Sequence, residues 1–180
     1  MNDNPVLSKL TFNKRTKRYD YKGNLTREEI ESLLEINKCG FIVKLGKIDG
    51  DFNCSNLSIF TLRNAPTVVT GNFECDRNEL LSLEGAPTKV GGDFNCSHNK
   101  LHSLRWSPKE VGGNFYCYDC TLESLEGVPK KVDGNFDCSY NKLISLEGAP
   151  KYIGGNFYYE QTPNLDPKNL NIIIKGEFIG

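Results

Sequence analysis

The chain has 180 residues, of which 38% are hydrophobic and 25% charged, and its formal net charge is -1. That balance excludes the apolar-poor, highly charged signature of disorder and fits one soluble, folded, cytoplasmic domain. No apolar run approaches eighteen residues and no charged, apolar, small-residue leader is present, so neither a membrane span nor a secretory signal is expected.

Residues 1–24 carry a basic cluster, Lys14, Arg15, Lys17, Arg18 and Lys22, interleaved with Phe12, Tyr19 and Tyr21. Basic plus aromatic residues are a nucleic-acid cue, and the plainer alternative is a partly ordered terminal arm. Residues 25–47 read as an N-terminal cap. Thr26-Arg-Glu-Glu29 forms a capping box, and Ile30, Leu33 and Leu34 fall at helical spacing, which predicts an amphipathic helix over 27–37 followed by the apolar segment Phe41-Ile-Val43.

From residue 48 to 160 a phrase of 21 residues repeats without insertion. Phenylalanine recurs at 52, 73, 94, 115, 136 and 157, and again at 178; cysteine follows at 54, 75, 96, 117 and 138, with Tyr159 in the sixth copy. A fixed period of this length predicts stacked supersecondary units, because each is too thin to bury its own apolar face. Phe94 and Cys96 are two apart and so point inward together, while Asp93, Asn95 and Ser97 point out. Asn78, Asn99 and Asn141 end the strands, where an amide can satisfy the backbone of the turn and of the next coil. The seven cysteines are odd in number and five share one repeat position, so they are expected to be reduced, buried and packed as small hydrophobes.

The phrase Gly92-Asp-Phe-Asn-Cys-Ser-His-Asn99 with Leu101 resembles the strand-and-turn consensus of leucine-rich repeats, and Ser82-Leu-Glu-Gly-Ala-Pro87 resembles the convex segment of their short bacterial subtype. The wording is also similar to leucine-rich-repeat-like proteins of tailed bacteriophages. The resemblance covers about residues 48–160 and implies a right-handed solenoid with one parallel sheet on the concave face, irregular convex turns and an N-terminal capping helix. It is specific for architecture, since repeats of this type serve many partners; for a phage protein the expected partner is a host factor.

Residues 161–180 read as a C-terminal cap and last strand. Asp166-Pro-Lys-Asn169 looks like a capped helical turn, and Phe178 and Ile179 fall on a short strand with a free edge, open to a homodimer or to the target. Two departures from the repeat stand out. Cys120 replaces the ladder asparagine and creates Cys117-x-x-Cys120, a single pair that lacks the second half of a zinc motif, so no metal or cofactor is expected. Arg105-Trp106 replaces Glu-Gly in a convex turn, where the tryptophan either covers a proline or binds.

No acid, base and nucleophile can be assigned roles, and His98 and His102 share one coil without a carboxylate pair, so no enzyme is expected. The outward strand positions bring carboxylates and tyrosines together: Glu74, Asp76, Asp93 and Asp137 with Tyr116, Tyr118, Tyr140 and Tyr158. Such a face repels phosphates and favours a basic protein surface, leaving nucleic acid only to the N-terminal arm. The alternatives are that arm acting on nucleic acid, or a structural assembly role.

Overall fold

The computed structural model describes residues 4–160 and 171–180. The helical turn expected at Asp166–Asn169 lies outside them. The described residues form a β-solenoid with very little helix, in which strands from successive repeats stack in parallel.

Seven strands follow the phenylalanine period: β4 (Phe52–Asn53), β6 (Phe73–Glu74), β8 (Phe94–Asn95), β10 (Phe115–Tyr116), β12 (Phe136–Asp137), β14 (Phe157–Tyr158) and β16 (Phe178–Ile179). They pair in parallel with identical register, Phe94 beside Phe115 and Asn95 beside Tyr116. Since parallel neighbours lie about 4.8 Å apart, the strict period forces each phenylalanine against the next. Ring centroids are 5.7 Å apart for Phe52 and Phe73, 5.1 Å for Phe94 and Phe115, and 4.8 Å for Phe157 and Phe178. Phe52 through Phe157 are wholly buried, each contributing about 1.5–3 kcal/mol by its removal from water.

The single sheet expected from the sequence is corrected to two. A second, nine-stranded sheet contains β1 (Thr11–Asn13), β2 (Arg18–Lys22), β3 (Leu45–Asp49), β5 (Val68–Val69), β7 (Lys89–Val90), β9 (Glu110–Val111), β11 (Lys131–Val132), β13 (Tyr152–Ile153) and β15 (Ile173–Ile174). An uninterrupted repeat brings every segment of the coil into register with its copy, and here the segment carries a buried β-branched residue: Val69, Val90, Val111, Val132 or Ile153. The two sheets meet at a glycine bend. A Cβ on Gly113 would overlap Asp93 Oδ1 and approach the Gly92 carbonyl carbon to 2.8 Å, so only glycine lets adjacent coils pass this closely.

The basic N-terminal segment is a degenerate coil. β1 and β2 form an antiparallel hairpin, and β2 pairs in parallel with β3, Tyr21 beside Ile48 and Lys22 beside Asp49. The spacing to the next coil is 27 residues instead of 21, which hides the relationship from a search for a fixed period. The extra residues are accommodated around α1 (Arg27–Ser32), whose Thr26 and Glu29 make the expected reciprocal capping box. This helix stops short of the predicted residue 37. The Leu33 carbonyl accepts from the Ile42 amide and Leu34 bridges to Phe41, because turning back buries Phe41, whose ring lies 5.5 Å from Phe52 at the start of the ladder. A short 3-10 turn, Ile36–Lys38, makes the reversal.

Candidate protein-binding face

Two side-chain ladders hold the coils in register. On the corner between the sheets, Asp51 Oδ1 accepts from the Asn72 amide at 2.7 Å, Asn72 Oδ1 from Asp93, and Asp93 Oδ1 from Asn114, continuing through Asn135 and Asn156 to the Glu177 amide. Asn24 begins the series by accepting from the Asp51 amide. Asp93, read from the sequence as a surface contact, therefore has one oxygen committed to the backbone of the next coil and the other to Asn114 Nδ2.

The second ladder is internal. Asn99 Nδ2 donates to the carbonyls of Cys75, Cys96 and Ser97, and its Oδ1 accepts from the Leu80 amide; Asn78, one coil earlier, and Asn141, beyond the interruption at Cys120, do the same in their own coils. These amides satisfy carbonyls around a turn whose central residue is left-handed in five successive coils: Asn56, Arg77, His98, Asp119 and Tyr140 have φ between 48° and 56°. The turn aims those side chains away from the core. Glycine is absent from this position, and the signal lies in Asn56, His98 and Asp119, types that tolerate the left-handed region better than most.

The exposed side of the seven-stranded sheet carries Glu74, Tyr116, Asp137 and Tyr158 along one column and Asp76, Tyr118 and Glu160 along the next. All are half-buried. Ser97, expected to point outward, is instead buried, as is Ser139 at the same repeat position; Ser139 Oγ accepts from the Glu160 amide, and Ser97 Oγ has no hydrogen-bond partner among the described residues. Tyr140 donates its hydroxyl to Glu160, and Tyr158 accepts from Asn156 Nδ2, which fixes both rings. Arg77 is tied to Asp76 at 3.4 Å, and His98 Nδ1 lies 2.7 Å from the Asp119 carboxylate.

Burial on this face, and secondarily its neighbouring carboxylates, disfavour the ionised forms of three of its side chains. Partial burial raises the Glu74 carboxyl above its ordinary value against an opposing hydrogen bond from Asn95, and Asp76, Asp93 and Asp51 raise it further. Asp137 is raised by burial and, more weakly, by Glu160, with the Ser139 hydroxyl and amide pulling the other way. Burial and neighbouring carboxylates likewise push up the Tyr116 phenol.

Trp106 and Arg105 lie elsewhere, on the irregular side of the coil. Trp106 is 66% exposed and has φ 73°, at the position where Gly85, Gly127 and Gly148 have φ of 90° to 108°. A bulky side chain in this conformation is a backbone outlier. Arg105 Nη2 is 3.7 Å from Glu126, with both side chains open to solvent. Phe60, Leu81 and Ile144 are also exposed and were not singled out from the sequence. Phe178 and Ile179 are half-buried on β16, with the Phe178 ring against Phe157 and Tyr159.

Cys54, Cys75, Cys96, Cys117, Cys120 and Cys138 are buried, and Cys39 is exposed. Burial pushes the five periodic thiols far up and Cys120 to about 11. Thiols held in this protonated state are poor ligands and poor nucleophiles. Among the described residues no group of three or more His, Cys, Asp or Glu side chains is arranged to hold a metal, and no helix is long and apolar enough to cross a membrane. Comparison with known proteins returned no matching family model, no matching curated protein and no matching solved structure.

Proposed function

We propose that the chain is a non-catalytic scaffold that binds a protein partner through the exposed side of its seven-stranded sheet, and that the partner presents a basic surface. The observation that carries this reading is the alternation, on one stiff face, of Tyr116, Tyr118 and Tyr158 with Glu74, Asp76, Asp137 and Glu160. Tyrosine offers a large contact area at little entropic cost, and carboxylates steer and orient a cationic partner. Rigid solenoid faces suit this work because the partner does not have to order them on binding.

The sequence resemblance supports a narrower version: a leucine-rich-repeat-like protein of bacteriophage origin that acts in the host cytoplasm by occluding a host protein, with a defence enzyme such as a CRISPR component as the favoured target. Inhibition by occlusion needs no chemistry from the scaffold.

The test is a pull-down from bacterial lysate with the full chain and with Tyr116→Ala/Tyr118→Ala/Tyr158→Ala, identifying what is retained by mass spectrometry. The expected result is a protein with a basic surface that is retained by the wild type, lost from the triple variant and released by salt. A retained set that is the same for both forms would overturn the proposal.

A further inference from the structure

The nine-stranded sheet has a charge character opposite to that of the first. Lys109, Lys130 and Lys151 occupy one repeat position immediately before β9, β11 and β13, so they stack on consecutive coils about 4.8 Å apart. All three are exposed and none has an ion-pair partner among the described residues. Beside them Lys89 pairs with Glu110 at 2.7 Å and Lys131 with Asp133 at 2.6 Å, which uses two of the acids on this face. A shallow depression here is lined by Lys89, Lys109 and Lys131, by the two acids already paired, Glu110 and Asp133, and by Gly91 and Gly112. At the other end of the same sheet the β1–β2 turn contributes exposed Lys14, Arg15 and Lys17, and β2 ends on Lys22. In a chain of net charge -1, the basic hairpin and the lysine column thus belong to one sheet, whose exposed acids Asp49, Glu110 and Asp133 are each paired with a lysine.

We infer that this face binds the phosphate backbone of duplex nucleic acid without reading its sequence. Three like charges on successive rungs repel one another unless an anion with closely spaced charges lies across them, and a duplex carries one charge per about 1.7 Å of its axis. Nine strands span about 38 Å, comparable with one duplex turn of about 34 Å, so the hairpin and the lysine column can meet phosphates of the same turn. Single-strand sites add aromatic platforms. This face has two exposed or half-exposed rings already engaged: Tyr152, 5.5 Å beneath the Lys131 ammonium, and Phe12 of the hairpin, 5.1 Å from the Tyr19 ring. The inference stands apart from the proposed protein-binding role, which uses the other sheet.

The test is fluorescence anisotropy of a labelled 20-base-pair DNA duplex with the full chain. Binding in the range of about 1–100 µM is expected at 50 mM salt, weakening at least tenfold by 200 mM. Lys109→Glu/Lys130→Glu/Lys151→Glu should weaken it at least tenfold at 50 mM, with an unchanged circular dichroism spectrum, while Glu74→Gln leaves it within twofold. Should the reversal variant fail to fold, the corresponding triple Lys→Gln variant is read in its place. An affinity unchanged by the lysine substitutions would overturn the inference. So would failure to bind the duplex, whether the chain is instead retained by phosphatidylcholine vesicles containing phosphatidylserine or instead self-associates at low salt through the same lysines in sedimentation.

Discussion

The Cys120 thiol lies 3.5 Å from the Cys96 carbonyl, on the rung where Asn99 and Asn141 each reach back with an amide to the carbonyl one coil earlier. An amide there donates to three carbonyls and accepts one amide; the thiol is a weak donor, and the Leu101 amide faces sulfur in place of oxygen. Cys120→Asn is therefore expected to stabilise the protein by about 1 kcal/mol, and Asn99→Cys to destabilise it by about 1–3 kcal/mol, since buried carbonyls lose their donor. Urea unfolding midpoints of the two variants decide this, a fall for Cys120→Asn being the adverse result.

Trp106 holds a left-handed backbone where its counterparts are glycine. Trp106→Gly should relieve that strain and raise stability by about 1 kcal/mol. Gly127→Ala, at φ 108° and with its new Cβ 2.7 Å from the Leu104 carbonyl carbon, should lower it by about 1–3 kcal/mol. Thermal unfolding compares them. If Trp106→Gly also leaves partner binding intact, the indole has no part in recognition.

The raised carboxyls on the tyrosine face give a pH signature. A carboxyl with a folded-state pKa above its unfolded value binds more protons when folded, so stability falls as pH rises from the ordinary value, near 4.5 for Glu74, through the raised one. Above both values the full penalty remains. Glu74→Gln should accordingly raise the melting temperature at pH 7, with a gain that shrinks as pH is lowered toward 4. A gain that is the same at both pH values would show that charge is not its cause.

The phenylalanine ladder should carry a cost typical of a tightly packed interior. Phe94→Ala removes a fully buried ring between Phe73 and Phe115 and is expected to cost about 3–5 kcal/mol by urea unfolding. Gly113→Ala, which forces a methyl group onto Asp93 Oδ1, should be comparably disruptive although it adds only one carbon.

The seven-strand stack and its buried phenylalanines were legible because Phe and Cys recur with one unbroken spacing. The second sheet was harder to see. From β5 onward its strands are two residues long and carry a single inward side chain, such as Val90 or Val132, so they show no alternation to read. The hairpin coil escaped because its spacing to the next coil is 27 residues, and the helix end because Leu33 and Leu34 suit a helix locally while burial of Phe41 decides otherwise. For the candidate face, the tyrosine and carboxylate columns follow directly from the period. The commitment of Asp93 to the Asn114 amide does not, because an outward carboxylate and a corner bracket have the same sequence signature. The lysine column could have been found by aligning residues 109, 130 and 151 in the same way.

The corner ladder is directional: each rung supplies an oxygen and the following rung supplies the amide, and Asn24 uses the same bond across its longer coil. Any internal rung can therefore succeed any other. Excising residues 92–112 would leave Asn72 Oδ1 facing the Asn114 amide, so the solenoid could lose or gain whole coils with both faces kept in step. Such a chain varies its reach in increments of one strand, and it can change what it recognises by rewriting one outward residue per coil while the interior stays as it is.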